Sequence, residues 1–262
     1  MVQLIWNAEN RLSEVRDSSG TTLASYSYDH LGRRIAKTSG GVTTYYVYDG
    51  WNPIAEYTGT TLSKAYTWGM DLIGSMQAAG GVGGLLAVTD GIASYYPTYD
   101  GNGNISEYLD SGGTTQAHYE YDAFGNETVK TGAKANDFAH RFSTKPQDTE
   151  TGLYYYGYRY YDPVTGRWPS RDPIKEEGGL NLYGYVENNP MNARDLDGLQ
   201  PCAELMNSIA GRSRERYAQW TKNTKQVGYL VRRPIESGWA IAAIPGLFLY
   251  GGHTYILLND GS

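Results

Sequence analysis

The sequence predicts a mainly β protein built from antiparallel hairpins. Three observations lead there. First, tyrosine dominates the aromatics, with 25 tyrosines against 4 phenylalanines in 262 residues. Tyrosine suits a pleated, half-buried surface on which the ring packs and the hydroxyl finds a polar partner. Second, the chain holds 33 glycines, which supply turns of positive φ. Third, one short pattern returns along the chain: alternating aromatics, an aspartate, a glycine, then a second alternating run.

The copies come in order. YSYDHLGRRIAKT (Tyr26–Thr38), YYVYDGWNPIAEY (Tyr45–Tyr57), YPTYDGNGNISEYLD (Tyr96–Asp110) and YEYDAFGNETVKT (Tyr119–Thr131) are the clear ones. LIWNAENRLSEV (Leu4–Val15) and YTWGMDLIGSM (Tyr66–Met76) are worn relatives. In each, residues such as Tyr26 and Tyr28 share one face of a strand. Asp29 starts a turn by accepting backbone N–H groups two residues on, and Gly32 supplies positive φ. Links such as DSSGTT (Asp17–Thr22), TSGGVTT (Thr38–Thr44) and DSGGTT (Asp110–Thr115) read as hairpin loops. The stretch at 78–92 reads as a glycine run followed by a further strand. Consecutive hairpins should pair side by side into one long antiparallel sheet. A sheet of that length has to curl.

These are YD repeats, and the chain resembles the Rhs family. FSTKPQDTETGLYYYGYRYYDPVTGRWPSRDP followed by GGLNLYGYVENNPMNARDLDGL resembles the Rhs-repeat-associated core. The resemblance implies three parts. Residues 1–137 would be a YD-repeat shell, 138–199 a core that plugs one end, and 200–262 a variable effector-like tail of mixed α/β structure. It also implies a spiralling β shell that encloses its own C-terminal tail as cargo. Family shells cut themselves after the leucine of a second Asp-Pro-x-Gly-Leu element. Carried over, Asp172 and Asp195 would be the acid pair, and the scissile bond would be Leu199–Gln200. Arg171 or Arg167, both near Asp172 in the chain, would orient the pair or stabilise the oxyanion. Two departures from the pattern stand out: Lys175 replaces the glycine of the first element, and Leu196 replaces the proline of the second.

Aspartyl chemistry needs two carboxyls close enough to share one proton. The substrate here would belong to the same chain, so proximity comes with folding. Asp-Pro and Asp-x-Asp-Gly are also ordinary turn sequences, and Asp162 in Asp162-Pro163 reads most simply as a turn.

After Leu199 the pattern changes. Pro201–Lys222 has apolar residues at Leu205, Ile209, Tyr217 and Trp220, as in an amphipathic helix. Arg212, Arg214 and Arg216 read as its wet face. His253–Asp260 reads as a strand. Cys202, His253 and Asn259 or Asp260 follow the Cys, His, Asn/Asp order of papain-like hydrolases, a second reading with a buried thiol and a turn histidine as its plain alternative. A non-enzymatic adhesion module that stays uncut is a third reading.

Charge and composition exclude other classes. The net charge of −6 argues against a general nucleic-acid binder for the shell, although residues 200–262 carry seven Lys/Arg against four Asp/Glu. The single cysteine excludes an internal disulfide. His30, His118 and His140 are scattered, so no metal site is expected, and no motif calls for a cofactor. The first eleven residues lack the apolar run of a secretory signal, and Ile241–Leu249 is too short to span a bilayer and is interrupted by Pro245. The resemblance implies export by a specialised route to the cell surface or beyond, with secretion machinery and a cognate immunity protein as partners.

Overall fold

The computed structural model describes residues 2–199 and, further on, one pair of two-residue strands, Pro234–Ile235 and Gly238–Trp239. Twelve strands follow one another through the first half: β1 (Gln3–Trp6), β2 (Leu12–Arg16), β3 (Thr22–Tyr28), β4 (Arg34–Ser39), β5 (Val42–Asp49), β6 (Asn52–Thr58), β7 (Thr61–Trp68), β8 (Leu85–Thr89), β9 (Ser94–Tyr99), β10 (Ile105–Leu109), β11 (Thr115–Tyr121) and β12 (Glu127–Thr131). Each pairs with the next, so sequence order is sheet order. The pairings are antiparallel throughout, as the repeat pattern requires. The sheet is open, with β1 and β12 as its edges.

The repeat chemistry explains the hairpins. Asp29 Oδ1 accepts the amides of Leu31 (3.0 Å) and Arg33 (2.9 Å), and Asp122 Oδ1 those of Phe124 (2.9 Å) and Asn126 (3.0 Å). Gly32 and Gly125 then take φ of 90° and 89°. Register irregularities recur where these turns rejoin the ladder, for example between Ser27 and Tyr28 and between Glu120 and Tyr121. Such bulges strengthen local twist and curve the sheet.

The tyrosine before each repeat aspartate has a second task. Tyr28, Tyr48, Tyr99 and Tyr121 donate their hydroxyls to the carbonyls of Leu12 (2.6 Å), Arg34 (2.8 Å), Leu85 (2.5 Å) and Ile105 (2.8 Å). Each bond therefore reaches back 14 to 16 residues to the preceding hairpin. Phenylalanine would pack as well but leave a carbonyl without its partner. This is the physical reason for the lopsided aromatic composition.

Residues 132–199 contain little regular structure and pack against the sheet. A two-residue pair, β13 (Tyr154–Tyr155) and β14 (Tyr160–Tyr161), lies at the centre. Tyr155 and Tyr160 join Leu12, Val15, Ala24 and Tyr26 of β2 and β3 in one buried cluster. Tyr154, Tyr156 and Tyr161 join Phe142, Trp168 and Tyr185 in a second. A third cluster holds Phe138 and Ala135 under β7–β11. Arg34 of β4 is buried against this core. Its Nη1 meets Asp148 Oδ2 at 2.7 Å, and the residue is 2% exposed. Its guanidinium lies 4.7 Å from the ring of Tyr155 and 5.1 Å from that of Tyr46.

The glycine run lies in the β7–β8 connection, where Gly80, Gly81 and Gly83 take positive φ, and β8 follows it as expected. Among the described residues no helix is long and apolar enough to cross a membrane. The tail helix, the His253–Asp260 strand, Cys202 and His253 lie outside the described residues.

Candidate functional site

Asp172 and Asp195 are brought together, 23 positions apart in the chain, with a buried arginine between them. Asp172 is 7% exposed and Asp195 1%. Arg159 Nη2 lies 2.7 Å from Asp172 Oδ2 and 3.6 Å from Asp195 Oδ2. The arginine sits in the turn between β13 and β14, where the amide of Tyr156 donates to its carbonyl (3.0 Å). Its Nε donates to Gly198 O (2.5 Å) and its Nη1 to Leu182 O (3.3 Å). One guanidinium thus ties both carboxylates to the segment that ends at Leu199.

Arg171 is not in this position. It is exposed, and its carbonyl accepts a hydrogen bond from Asn10 Nδ2 (3.0 Å). Arg167 is exposed as well. Sequence proximity to Asp172 favoured these two, but the arginine that meets the pair comes from 13 residues upstream. A signal was present: Arg159 interrupts a run of tyrosines, whose packing buries it, and a buried guanidinium calls for a carboxylate. Asp162 forms a turn, accepting Val164 N (3.0 Å) and Thr165 Oγ1 (2.7 Å).

The Asp195–Leu199 segment is folded around its own first carboxylate. Asp195 Oδ1 accepts the amides of Asp197 (3.3 Å), Gly198 (2.7 Å) and Leu199 (3.1 Å). Gly198 takes φ of 90°, which favours glycine at this place in the motif. Burial lifts the Asp195 carboxyl to about 6, the Asp197 charge adds to this, and Arg159 and the amides oppose it. Burial raises Asp197 too, against the pull of Lys145.

The Leu199 carbonyl approaches Asp172 at Gly178. A Cβ on Gly178 would stand 2.6 Å from Asp172 Oδ2 and 2.8 Å from the Leu199 carbonyl oxygen. Glycine is what lets the carboxylate and the carbonyl close on the same point. Beside them lies a cavity of about 460 Å³, lined among others by Trp51, Trp68, His140, Lys145, Asp197 and Leu199. Among the described residues no group of His, Cys, Asp or Glu is arranged to hold a metal ion.

Comparison with known proteins places the fold. The RHS Repeat family matches residues 6–44 and 99–136. The chain belongs to the RHS-repeat proteins. It is 36% identical over 202 residues to the tRNA3(Ser)-specific nuclease WapA of Bacillus spizizenii, covering 74% of this chain and 8% of the relative. It is 44% identical over 96 residues to toxin subunit YenC1 of Yersinia entomophaga, covering 36% of this chain and 10% of that one. Among solved structures it resembles the Photorhabdus luminescens Tc holotoxin pore, with 27% identity, a TM-score of 0.59, and coverage of 77% of this chain and 10% of that one. This RHS-repeat chain therefore has a toxin-shell fold and toxin relatives, and it spans about a tenth or less of their length.

Proposed function

We propose that this RHS-repeat chain is the closing portion of a toxin shell that encloses a C-terminal effector and cuts itself between Leu199 and Gln200. The observation that carries the reading is that Arg159 bridges the buried Asp172 and Asp195 while Asp172 Oδ2 and the Leu199 carbonyl oxygen close on one point at Gly178. In the reaction, Asp172 takes a proton from water, and the water oxygen bonds to the Leu199 carbonyl carbon. Asp195 carries the other proton, hydrogen-bonds the carbonyl oxygen, and passes the proton to the Gln200 nitrogen as the C–N bond breaks. Arg159 fixes both carboxylates and offsets the charge that develops. Two observations support the reading despite the departures from the motif: the amides of Asp197 and Gly198 reach Asp195 although Leu196 stands in place of proline, and Lys175 takes the positive φ, 58°, of the glycine it replaces. The whole protein would then be exported by a specialised route, with its tail as cargo and an immunity protein protecting the producer.

Intact mass of the purified chain tests this beside Asp172→Asn and Asp195→Asn. The expected result is a fragment of residues 200–262 from the parent chain and none from either variant. A single full-length mass for all three would overturn self-cleavage and favour an uncut adhesion or scaffold module.

A further inference from the structure

Lys145 has no part in the chemistry above, yet it is 8% exposed and sits against the same segment. Its position is rigidly set. Ser143 and Thr144 before it take positive φ of 51° and 54°. That turn is pinned by Ser143 N to Asn104 Oδ1 (2.8 Å), Thr144 Oγ1 to Gly103 O (2.8 Å) and Gly83 N to Thr144 Oγ1 (2.8 Å). From there the side chain runs past the Tyr156 ring, with Nζ 5.5 Å from its centroid.

The ammonium ends where two segments meet. Nζ donates to Gly80 O at 2.8 Å. A Cβ on Gly80 would stand 3.2 Å from that nitrogen and 2.2 Å from the Leu196 carbonyl oxygen. Gly80 thus lies directly against the backbone of the Asp195–Leu199 segment, and Lys145 Nζ stands on the same face of Gly80 and holds its carbonyl. The carboxylates whose charge reaches Lys145 are Asp197 and Asp195 on that segment and Asp71 in the β7–β8 connection. His140, buried and held neutral with its pKa near 3, lines the same cavity as Lys145, and so does Glu177. Burying an ammonium costs several kcal/mol. Space alone would be filled at lower cost by methionine, so the charge itself has a use here.

We propose that Lys145 is a positioning residue for the cleavage segment. Through Gly80 and through its charge beside Asp197 it seats the Leu196–Leu199 backbone so that the Leu199 carbonyl meets Asp172, without touching the reacting atoms. This deepens the self-cleavage reading and rests on it.

The test uses the full chain, refolded from denaturant and followed by intact mass. Lys145→Met is expected to slow cleavage at least tenfold while the chain still melts cooperatively, and Lys145→Arg to recover most of the rate. Cleavage of Lys145→Met at the parent rate would overturn the proposal, as would Lys145→Arg being as slow as Lys145→Met. Should Lys145→Met not fold, Lys145→Gln, which keeps a donor for Gly80 but lacks the charge, gives the same two outcomes. A second readout is independent of cleavage. In the uncut Asp172→Asn background, side-chain carboxyl NMR should show Asp197 titrating at higher pH once Lys145 is replaced. An unmoved Asp197 would remove the charge contact. A moved Asp197 in a chain whose parent never cleaves would keep the contact and sink only the self-cleavage reading.

Discussion

Cleavage should slow as pH rises through the Asp195 transition. The perturbation is pH alone, and the magnitude follows from the carboxyl lifted to about 6 by burial. On the self-cleavage reading, the reaction needs Asp195 protonated. At pH 5 about nine-tenths of the molecules carry that proton, and at pH 8 about one-hundredth, so the rate should fall by roughly two orders of magnitude. The assay is a refolding jump from denaturant into buffers between pH 5 and 8, with quenched samples weighed by mass spectrometry. A rate that is flat across this range, or that rises with pH, would refute the assignment of the proton to Asp195.

The same group predicts a stability signature, and its sign is fixed. The folded carboxyl binds its proton more tightly than the unfolded one, whose ordinary value is 3.8. Its contribution is therefore fully present below pH 3.8 and is lost as pH rises through about 6. The lost stabilisation amounts to about 3 kcal/mol. In uncut chains, Asp172→Asn should lose stability across that window, and the double variant with Asp195→Asn should lose about 3 kcal/mol less. Parallel curves for the two would refute the burial argument.

Two further predictions concern packing. Gly178→Ala introduces a methyl into the point where Asp172 and the Leu199 carbonyl meet, so cleavage should fall at least tenfold with melting little changed; cleavage at the parent rate would show that this contact is not used. Arg34→Met leaves Asp148 buried with only Lys37 at 3.0 Å, and urea unfolding of an uncut chain should show a loss of about 3–5 kcal/mol, whereas a loss under about 1 kcal/mol would show that the Arg34–Asp148 pair does not join sheet to core.

Much of the sheet was legible because its information is local. Each hairpin announces itself through a Tyr-Asp pair, an aspartate turn and a glycine of positive φ, and consecutive hairpins have neighbouring partners. The site was legible only in part. Asp172 and Asp195 came from resemblance to a family motif, not from periodicity. Arg159 was missed because its partners lie 13 and 36 residues away, and its place among tyrosines says that it is buried without saying which carboxylates it meets. Lys145 is further still, since its neighbours come from the β7–β8 connection and from the Asp195–Leu199 segment. Contacts of that kind depend on how the irregular core packs, and the core has no repeating period to read.

The tyrosines of 152–173 explain how such a core can nonetheless hold a site. Residues one apart in a strand face opposite ways. Tyr154 and Tyr161 therefore enter one buried cluster while Tyr155 and Tyr160 enter the other, and both faces of the β13–β14 pair are covered. A two-residue hairpin has almost no stability of its own. Here its hydroxyls fasten it: Tyr155 accepts from Arg34 N (2.9 Å), Tyr160 from Arg34 Nη1 (3.1 Å), and Tyr161 donates to Phe124 O (2.7 Å). The turn of that hairpin carries Arg159. Its guanidinium is thus aimed by packing on the repeat sheet, and the carboxylate pair can assemble only once the hairpin is seated. On the self-cleavage reading, cutting at Leu199 would wait for closure of the core on the shell, because the residue that joins Asp172 to Asp195 is delivered by that closure.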